Sequence, residues 1–232
     1  MKTTIIIPTY NERENIETII FKIKAILPEV EILVVDDNSP DLTHQVVADL
    51  QTRVSGLSLL LREKKAGLGQ AYLAGFKKVL TDGQSESVIM MDADLSHDPS
   101  YLPQFLAAAQ NYDVVVGSRY VAGGGTTGWE LWRRLLSKYG NYYARFIIGM
   151  PVHDCTGGFN LIKMDLLRRL DLNAFDSSGY AFQIELKYLL KKAGGRFQEV
   201  PIIFRNRTVG QSKISHRIIQ EGIVAPWRIR RK

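Results

Sequence analysis

The sequence predicts an α/β fold: a mainly parallel, Rossmann-like sheet with helices on both faces. Short apolar runs with no polar face, such as Thr3 to Pro8 and Glu31 to Val35, read as strands buried on both sides. Between them lie segments whose apolar residues recur at helical spacing. Strand and helix alternating at such short intervals indicate βαβ units, which require a parallel sheet. Of 232 residues, 45% are hydrophobic and 23% charged, which excludes disorder and low-complexity architectures. That length can bury a sizeable core without disulfides or a structural metal. The single cysteine, Cys155, excludes an intramolecular disulfide and a cysteine-based zinc site, and fits a reducing compartment. No run approaches the roughly 20 apolar positions of a membrane-spanning helix, and Met1 to Pro8 carry no signal-peptide pattern. A soluble, cytoplasmic protein is expected.

Each element follows from its own pattern. After the first strand, Asn11 and Glu14 form a capping-box pattern. Ile16, Ile19, Ile20, Ile23 and Leu27 then give one apolar helix face. The strand at 31–35 closes on Asp36 and Asp37, a helix runs through Val46, Val47 and Leu50, and a strand spans Leu57 to Leu61. Leu68, Tyr72, Gly75, Phe76 and Val79 mark a helix, Val88 to Met91 a strand, Tyr101 to Gln110 a helix and Val114 to Val116 a strand. Beyond Arg119 the regularity breaks, and Gly123-Gly124-Gly125 signals a mobile loop. Trp129 to Ile148 is amphipathic and rich in aromatics. Phe159 to Ile162 reads as a strand, Asp165 to Leu170 and Ala181 to Ala193 as helices, and Gln198 to Phe204 as a strand whose Pro201 argues for a sheet edge. With no linker and no repeat, residues 1–215 are expected to form one domain and 216–232 a basic amphipathic tail.

Ligands of open α/β sheets bind at the carboxyl ends of the strands. The polar residues there are Pro8 to Glu12, Asp36 to Ser39, Asp92-Ala93-Asp94 and Gly117-Ser118-Arg119. So many carboxylates at one edge repel one another unless a cation or a donor-rich ligand joins them. The first turn lacks the glycines of a dinucleotide site, and no Gly-Lys-Ser/Thr phosphate loop occurs. Asp92-Ala93-Asp94, directly after an apolar strand, offers hard oxygen ligands suited to Mg²⁺ or Mn²⁺ bridging a diphosphate. The net charge of +6 at pH 7 favours anionic partners. His97 is expected to cap the following helix; His153 and Cys155 read as packing residues, and Tyr142, Tyr143 and Phe146 as core or interface residues.

Pro-Thr-Tyr-Asn-Glu-Arg-Glu-Asn (8–15), Val-Val-Asp-Asp-Asn-Ser-Pro-Asp (34–41) and Met-Asp-Ala-Asp-Leu-Ser-His (91–97) together resemble inverting family 2 glycosyltransferases. The resemblance is nearest to the dolichol/polyprenyl-phosphate mannosyltransferases. It continues in order through Gly-Ser-Arg-Tyr (117–120), Gly-Gly-Phe (157–159), Gly-Tyr-Ala-Phe-Gln-Ile-Glu (179–185), Glu-Val-Pro-Ile (199–202) and Gly-Gln-Ser-Lys (210–213). It implies a GT-A fold and transfer of mannose, with inversion, from GDP-mannose to a polyprenyl monophosphate. Pro8, Tyr10, Glu12, Val35 and Asp37 match nucleoside-binding positions, and Asp92, Ala93 and Asp94 match diphosphate and metal positions, with Asp94 the chief metal ligand. Ser96 stands where many relatives carry glutamine and would act through water or not at all. Arg119, Arg133, Arg207 and Lys213 match positions tied to the donor diphosphate and acceptor phosphate. Guanidinium groups grip phosphate oxygens in pairs. The plain alternatives are a structural salt bridge for Arg119 and a solvated helix face for Arg133.

A phosphate acceptor is mostly dianionic at pH 7 and needs no general base, in keeping with a site of cations and metal ligands. Its lipid tail implies a membrane surface, met by Trp129 to Ile148 and Ile218 to Lys232 through amphipathic and basic character. A peripheral position on the cytoplasmic membrane face follows. Many relatives continue into membrane-spanning segments, so a membrane-anchoring partner is also an expectation. The loop 205–213 is expected to be mobile and to close as a lid over bound donor. Three alternatives stand beside this reading: a UDP-glucose-dependent relative, a glycosyltransferase using a hydroxyl acceptor and a general base, and a non-catalytic module binding anionic lipid. The interleaved acidic strand ends argue against nucleic acid.

Overall fold

A computed structural model describes residues 1–177, 179–206 and 216–232. The N-terminal half alternates as the apolar runs predict: β1 (Thr3–Thr9), α1 (Arg13–Ile26), β2 (Glu31–Asp36), α2 (Thr43–Gln51), β3 (Leu57–Leu61), α3 (Leu68–Asp82) and β4 (Ser87–Met90). A 3-10 turn at Pro99–Tyr101 leads into α4 (Leu102–Ala108) and β5 (Val114–Ser118). Then come β6 (Gly125–Thr127), α5 (Leu131–Ile148), β7 (Asn160–Lys163), α6 (Met164–Leu167), α7 (Gly179–Lys192), β8 (Phe197–Pro201), β9 (Ile203–Arg205) and α8 (His216–Arg230).

Seven strands form one sheet in the order β3-β2-β1-β4-β7-β5-β8, and β6 pairs with β9 in a small second sheet. Successive residues of β1 serve opposite faces, which is why the run has no polar side. Ile5 and Ile7 join Ile16, Ile19, Ile20 and Ile23 of α1, while Ile6 joins Tyr72 and Phe76 of α3 and Phe182 of α7. Each such isoleucine, fully removed from water, contributes about 1.5–3 kcal/mol. From β1 the chain winds outward to β2 and β3, then crosses back so that β4 lies on the other side of β1. This reversal of winding opens a crevice at the carboxyl ends of β1 and β4, where doubly wound sheets bind ligands.

Several sequence expectations are corrected. The capping box at Asn11 does not form: Asn11 has φ of 61° and its N–H donates to Ser39 Oγ, while the cap position of α1 is Glu12, without a side-chain cap bond. The Glu12 carboxylate instead accepts from Asn15 Nδ2 at 2.9 Å. Gly125 lies in β6, not in a mobile loop, and a side chain on Gly124 would meet the Ser118 carbonyl at 2.5 Å, so this turn is tightly built. The predicted strand 198–204 is two: β8 closes the large sheet at its edge, with Pro201 its last residue, and β9 leaves for β6. β7 runs antiparallel to both its neighbours.

Candidate functional site

Four segments at the carboxyl ends of the strands enclose a cleft of about 200 Å³, lined by Pro8, Tyr10, Glu12, Asp37, Lys65, Gly67, Asp92, Ala93 and Asp94 among others. Pro8, Tyr10, Glu12, Asp37, Asp92, Ala93 and Asp94, selected from the sequence, meet here, whereas Val35, Ser96 and Arg119 do not line the cleft. Asp36, fully buried, is the structural anchor. It accepts from Thr9 Oγ1 at 2.6 Å and from the backbone N–H and hydroxyl of Ser39, tying the turn after β2 to β1. Asp37 is held by Arg62 Nη1 at 2.7 Å and the Ala66 N–H at 3.1 Å. Lys65 sits 3.7 Å above the Tyr10 ring, a cation–π contact that brings positive charge to the cleft wall. The Val35 side chain is fully buried and faces α3, so it belongs to the core and not to the cleft wall.

Asp92 and Asp94 form the floor. The Ser96 hydroxyl and N–H both donate to Asp94 Oδ1, so Ser96 orients that carboxylate. Tyr72 Oη donates to Asp92 Oδ1 at 3.4 Å, and burial together with the neighbouring Asp92 pushes the Tyr72 phenol well above its usual value, keeping it a donor. His97 caps nothing; Asp98 caps the 3-10 turn, accepting from the Ser100 N–H. His97 lies buried beneath the floor, stacked 5.0 Å from Phe159, and its Nδ1 accepts the Asp92 N–H at 3.0 Å. Among the described residues no cluster of three or more histidines, cysteines or carboxylates is assembled to hold a metal by itself. Two carboxylates completed by diphosphate oxygens and water fit the habits of Mg²⁺ and Mn²⁺.

A second hollow of about 430 Å³, mostly apolar, lies between α5 and α8; Arg119, Trp129 and Arg133 line it with Leu136, Tyr139, Tyr143, Ile184 and Ile223. The Trp129 ring stands between the two arginines, 5.7 Å from the Arg119 guanidinium and 4.1 Å from that of Arg133. Arg119 is buried: its Nε and Nη2 donate to Asp154 at 2.7 and 2.8 Å, and Nη2 also reaches Thr156 Oγ1. The structural salt bridge and a place in the groove wall therefore coexist. Burial raises the Asp154 carboxyl, but Arg119 outweighs it and holds the carboxyl below the usual range. Behind the pair lies Lys187, fully buried and donating to the Gly157 carbonyl at 2.7 Å; burial lowers its pKa to about 8. Cys155 is buried in the same segment, with its thiol pushed up to about 12 by burial. His153 is no packing residue; its half-exposed ring pairs with Glu199 at 2.8 Å.

The groove continues onto an exposed apolar face. Leu131, Leu135, Tyr139, Tyr142 and Phe146 of α5, with Ile223, Val224 and Trp227 of α8, are all exposed, so of the two readings, core or interface, Tyr142 and Phe146 do not take the core. Arg207 and Lys213, with most of the loop 205–213, lie outside the described residues.

Cleft and groove come close at one segment. Thr156 lines the groove, and two residues on Gly158 faces the Asp92 carboxylate. Residues 4–171 match the model of glycosyl transferase family 2. The chain belongs to this family. It is 45% identical to the polyprenol monophosphomannose synthase of Mycolicibacterium smegmatis, over 99% of this chain and 88% of that protein. It is 39% identical to the undecaprenyl-phosphate mannosyltransferase of Micrococcus luteus, over 97% and 92%. The glucosyl-3-phosphoglycerate synthase of Mycobacterium tuberculosis, solved with Mn²⁺, UDP and phosphoglyceric acid, superposes with a TM-score of 0.70 over 99% of this chain and 78% of its own at 16% identity. The same enzyme with Mn²⁺ and UDP-glucose gives 0.67 over 99% and 78%, at 18%. The family 2 glycosyltransferase is thus built on the GT-A fold that its sequence implied.

Lys65 and Asp154 escaped the sequence reading, and Trp129 entered it only as the first residue of the amphipathic segment 129–148. Lys65 lies in a polar turn like any other, and Asp154 acts on Arg119 across 35 positions, a pairing no local pattern encodes.

Proposed function

We infer that this glycosyltransferase transfers mannose, with inversion, from GDP-mannose to the phosphate of a polyprenyl monophosphate, with Mg²⁺ or Mn²⁺. The observation that carries the reading is a juxtaposition: a carboxylate-floored polar cleft and an apolar groove with two arginines, brought close where Thr156 of the groove is followed by Gly158 beside Asp92. A sugar nucleotide suits the first and a phosphorylated lipid the second. The names of the two mannosyltransferase relatives agree with that pairing.

The cleft holds the nucleotide through Pro8, Tyr10, Glu12 and Asp37, and Asp92 and Asp94 take the diphosphate end. A divalent ion held by Asp92 and Asp94 would neutralise charge on the departing diphosphate. On the groove side Arg119 and Arg133 receive the acceptor phosphate. Asp154 and Thr156 fix Arg119, so no reorganisation is needed as charge develops. One phosphate oxygen attacks the anomeric carbon from the face opposite the diphosphate. The new carbon–oxygen bond forms as the bond to the diphosphate breaks, and the electron pair leaves with GDP. No proton moves, so no base is required. In this reading the groove mouth meets a membrane surface, which the exposed Trp132, Trp227 and Phe146 support, since such aromatics beside cations suit an anionic interface.

Thermal unfolding with GDP, UDP, GDP-mannose and UDP-glucose, with and without Mn²⁺, tests the donor. Stabilisation by GDP-mannose and Mn²⁺ together is expected; stabilisation by the uridine nucleotides alone would move the assignment to UDP-glucose. Indifference to every nucleotide would leave only a lipid-binding module.

A further inference from the structure

Gln183 on α7 has no part in the reaction described so far, yet it is 98% buried, at 2% exposure, with an amide Nε2 that has no hydrogen-bond partner. Its Oε1 is fixed, accepting from Asn160 Nδ2 at 3.2 Å, and Asn160 Nδ2 also donates to the Gly157 carbonyl. With the oxygen held, the amide can only turn its N–H groups the other way. They face Gly158. A Cβ built on Gly158 would lie 3.6 Å from Gln183 Nε2, 3.6 Å from His97 Cε1 and 3.8 Å from Asp92 Oδ1, so the space above this glycine is ringed by a donor, a ring edge and a carboxylate. Gly158 is itself partly exposed, so the space opens outward. A buried amide N–H left unmade costs about 1–3 kcal/mol, so a folded protein keeps one where a ligand completes it.

Its position says which ligand. Asp92 belongs to the cleft floor and Thr156 to the groove wall; Gly158 lies against the Asp92 carboxylate, two residues along the chain from Thr156. A group carried from a diphosphate in the cleft to a phosphate in the groove must pass over Gly158. We propose that Gln183 reads the transferred sugar: its Nε2 donates to a hydroxyl of the hexose seated over Gly158, with Asn160 as the residue that positions the amide. Gly158 is required because a methyl there would occupy the sugar's place. The proposal rests on the sugar-nucleotide reading above and adds the residue that selects the sugar.

Gln183→Leu and Gly158→Ala test it, with GDP as competitive inhibitor, GDP-mannose as donor, a polyprenyl phosphate acceptor and Mn²⁺. Gln183→Leu should lower kcat/KM for GDP-mannose by about tenfold or more while GDP inhibits within about twofold of wild type. Gly158→Ala should do the same with an unchanged thermal midpoint, since its new Cβ meets no atom closer than 3.6 Å. Unchanged kcat/KM in Gly158→Ala, or GDP inhibition weakened in step with kcat/KM in either variant, would overturn the proposal; so would a normal Gln183→Leu enzyme, whose amide then served only a buried water. If wild type ignores GDP-mannose but uses UDP-glucose, the donor assignment fails, and the same variants measured against UDP and UDP-glucose still decide the role of Gln183.

Discussion

The cleft beyond β1 and β4 and the groove between α5 and α8 occupy one side of the molecule but are held in place differently. In the cleft the strand-end acids are held by short local contacts: the Asp36 side chain by Thr9 and Ser39, that of Asp37 by Arg62, that of Asp94 by Ser96, and the Asp92 backbone N–H by His97. The groove is walled by two helices that leave an apolar face uncovered, and one buried ion pair, Arg119 with Asp154, ties it to the sheet. A soluble, charged substrate rewards fixed geometry, because each carboxylate and donor must meet a defined atom. A long apolar chain rewards area and a place at an interface, and tolerates variation in shape.

Removing the cleft's central charge should have the largest effect. Asp94→Asn is expected to lower kcat/KM about a thousandfold or more, the several kcal/mol that a metal-held diphosphate supplies, with an unchanged unfolding temperature. Activity within tenfold of wild type in Mg²⁺ would detach Asp94 from the metal. On the groove side the two arginines should separate. Arg133→Ala is expected to weaken acceptor use by about 1.5–3 kcal/mol, ten- to a hundredfold in kcat/KM for polyprenyl phosphate, while the dissociation constant of GDP holds. Arg119→Ala leaves the fully buried Asp154 without its guanidinium, so chemical denaturation should show a further loss of about 3–5 kcal/mol. Equal stability of the two variants would mean that the ion pair does not anchor the groove.

What the sequence revealed follows the same division. β1, β2 and β4 were legible because strands buried on both faces leave unbroken apolar runs, and Asp92 and Asp94 were legible because such a run ends at them. Direction leaves no such trace, so β7 reads like its parallel neighbours while running against them. The apolar run from Val200 to Phe204 likewise hides the point where the chain leaves the large sheet for β6. In the groove the arginines were visible, but Asp154 and Trp129, which hold and space them, depend on contacts between distant segments. The amphipathic pattern of α5 marks an apolar face without saying whether protein or lipid covers it.

Two smaller effects sharpen the contrast. Phe146 is 75% exposed on the uncovered face. Phe146→Glu should reduce partitioning onto vesicles containing anionic phospholipid about tenfold in co-sedimentation, with turnover of a short, water-soluble acceptor retained. Partitioning equal to wild type would place the membrane contact elsewhere. Lys187 gives the smallest effect. Its folded pKa of about 8 lies below the ordinary 10.5, so the unfolded chain binds more protons between those values and its contribution to stability rises with pH there. From pH 7 to 9 wild type should gain about 1 kcal/mol relative to Lys187→Met in urea unfolding. A constant difference would mean that the ammonium is not desolvated.

The chain's one thiol is buried away from reagents. Alkylating probes attack the thiolate, and Cys155, buried with its pKa pushed up to about 12, supplies almost none at neutral pH. This chain is therefore already a blank background for site-specific labelling. A cysteine placed at Ile223 or Tyr142 would be the single reactive handle, and an environment-sensitive fluorophore there could report the depth at which each helix meets a bilayer. No other residue need be changed first.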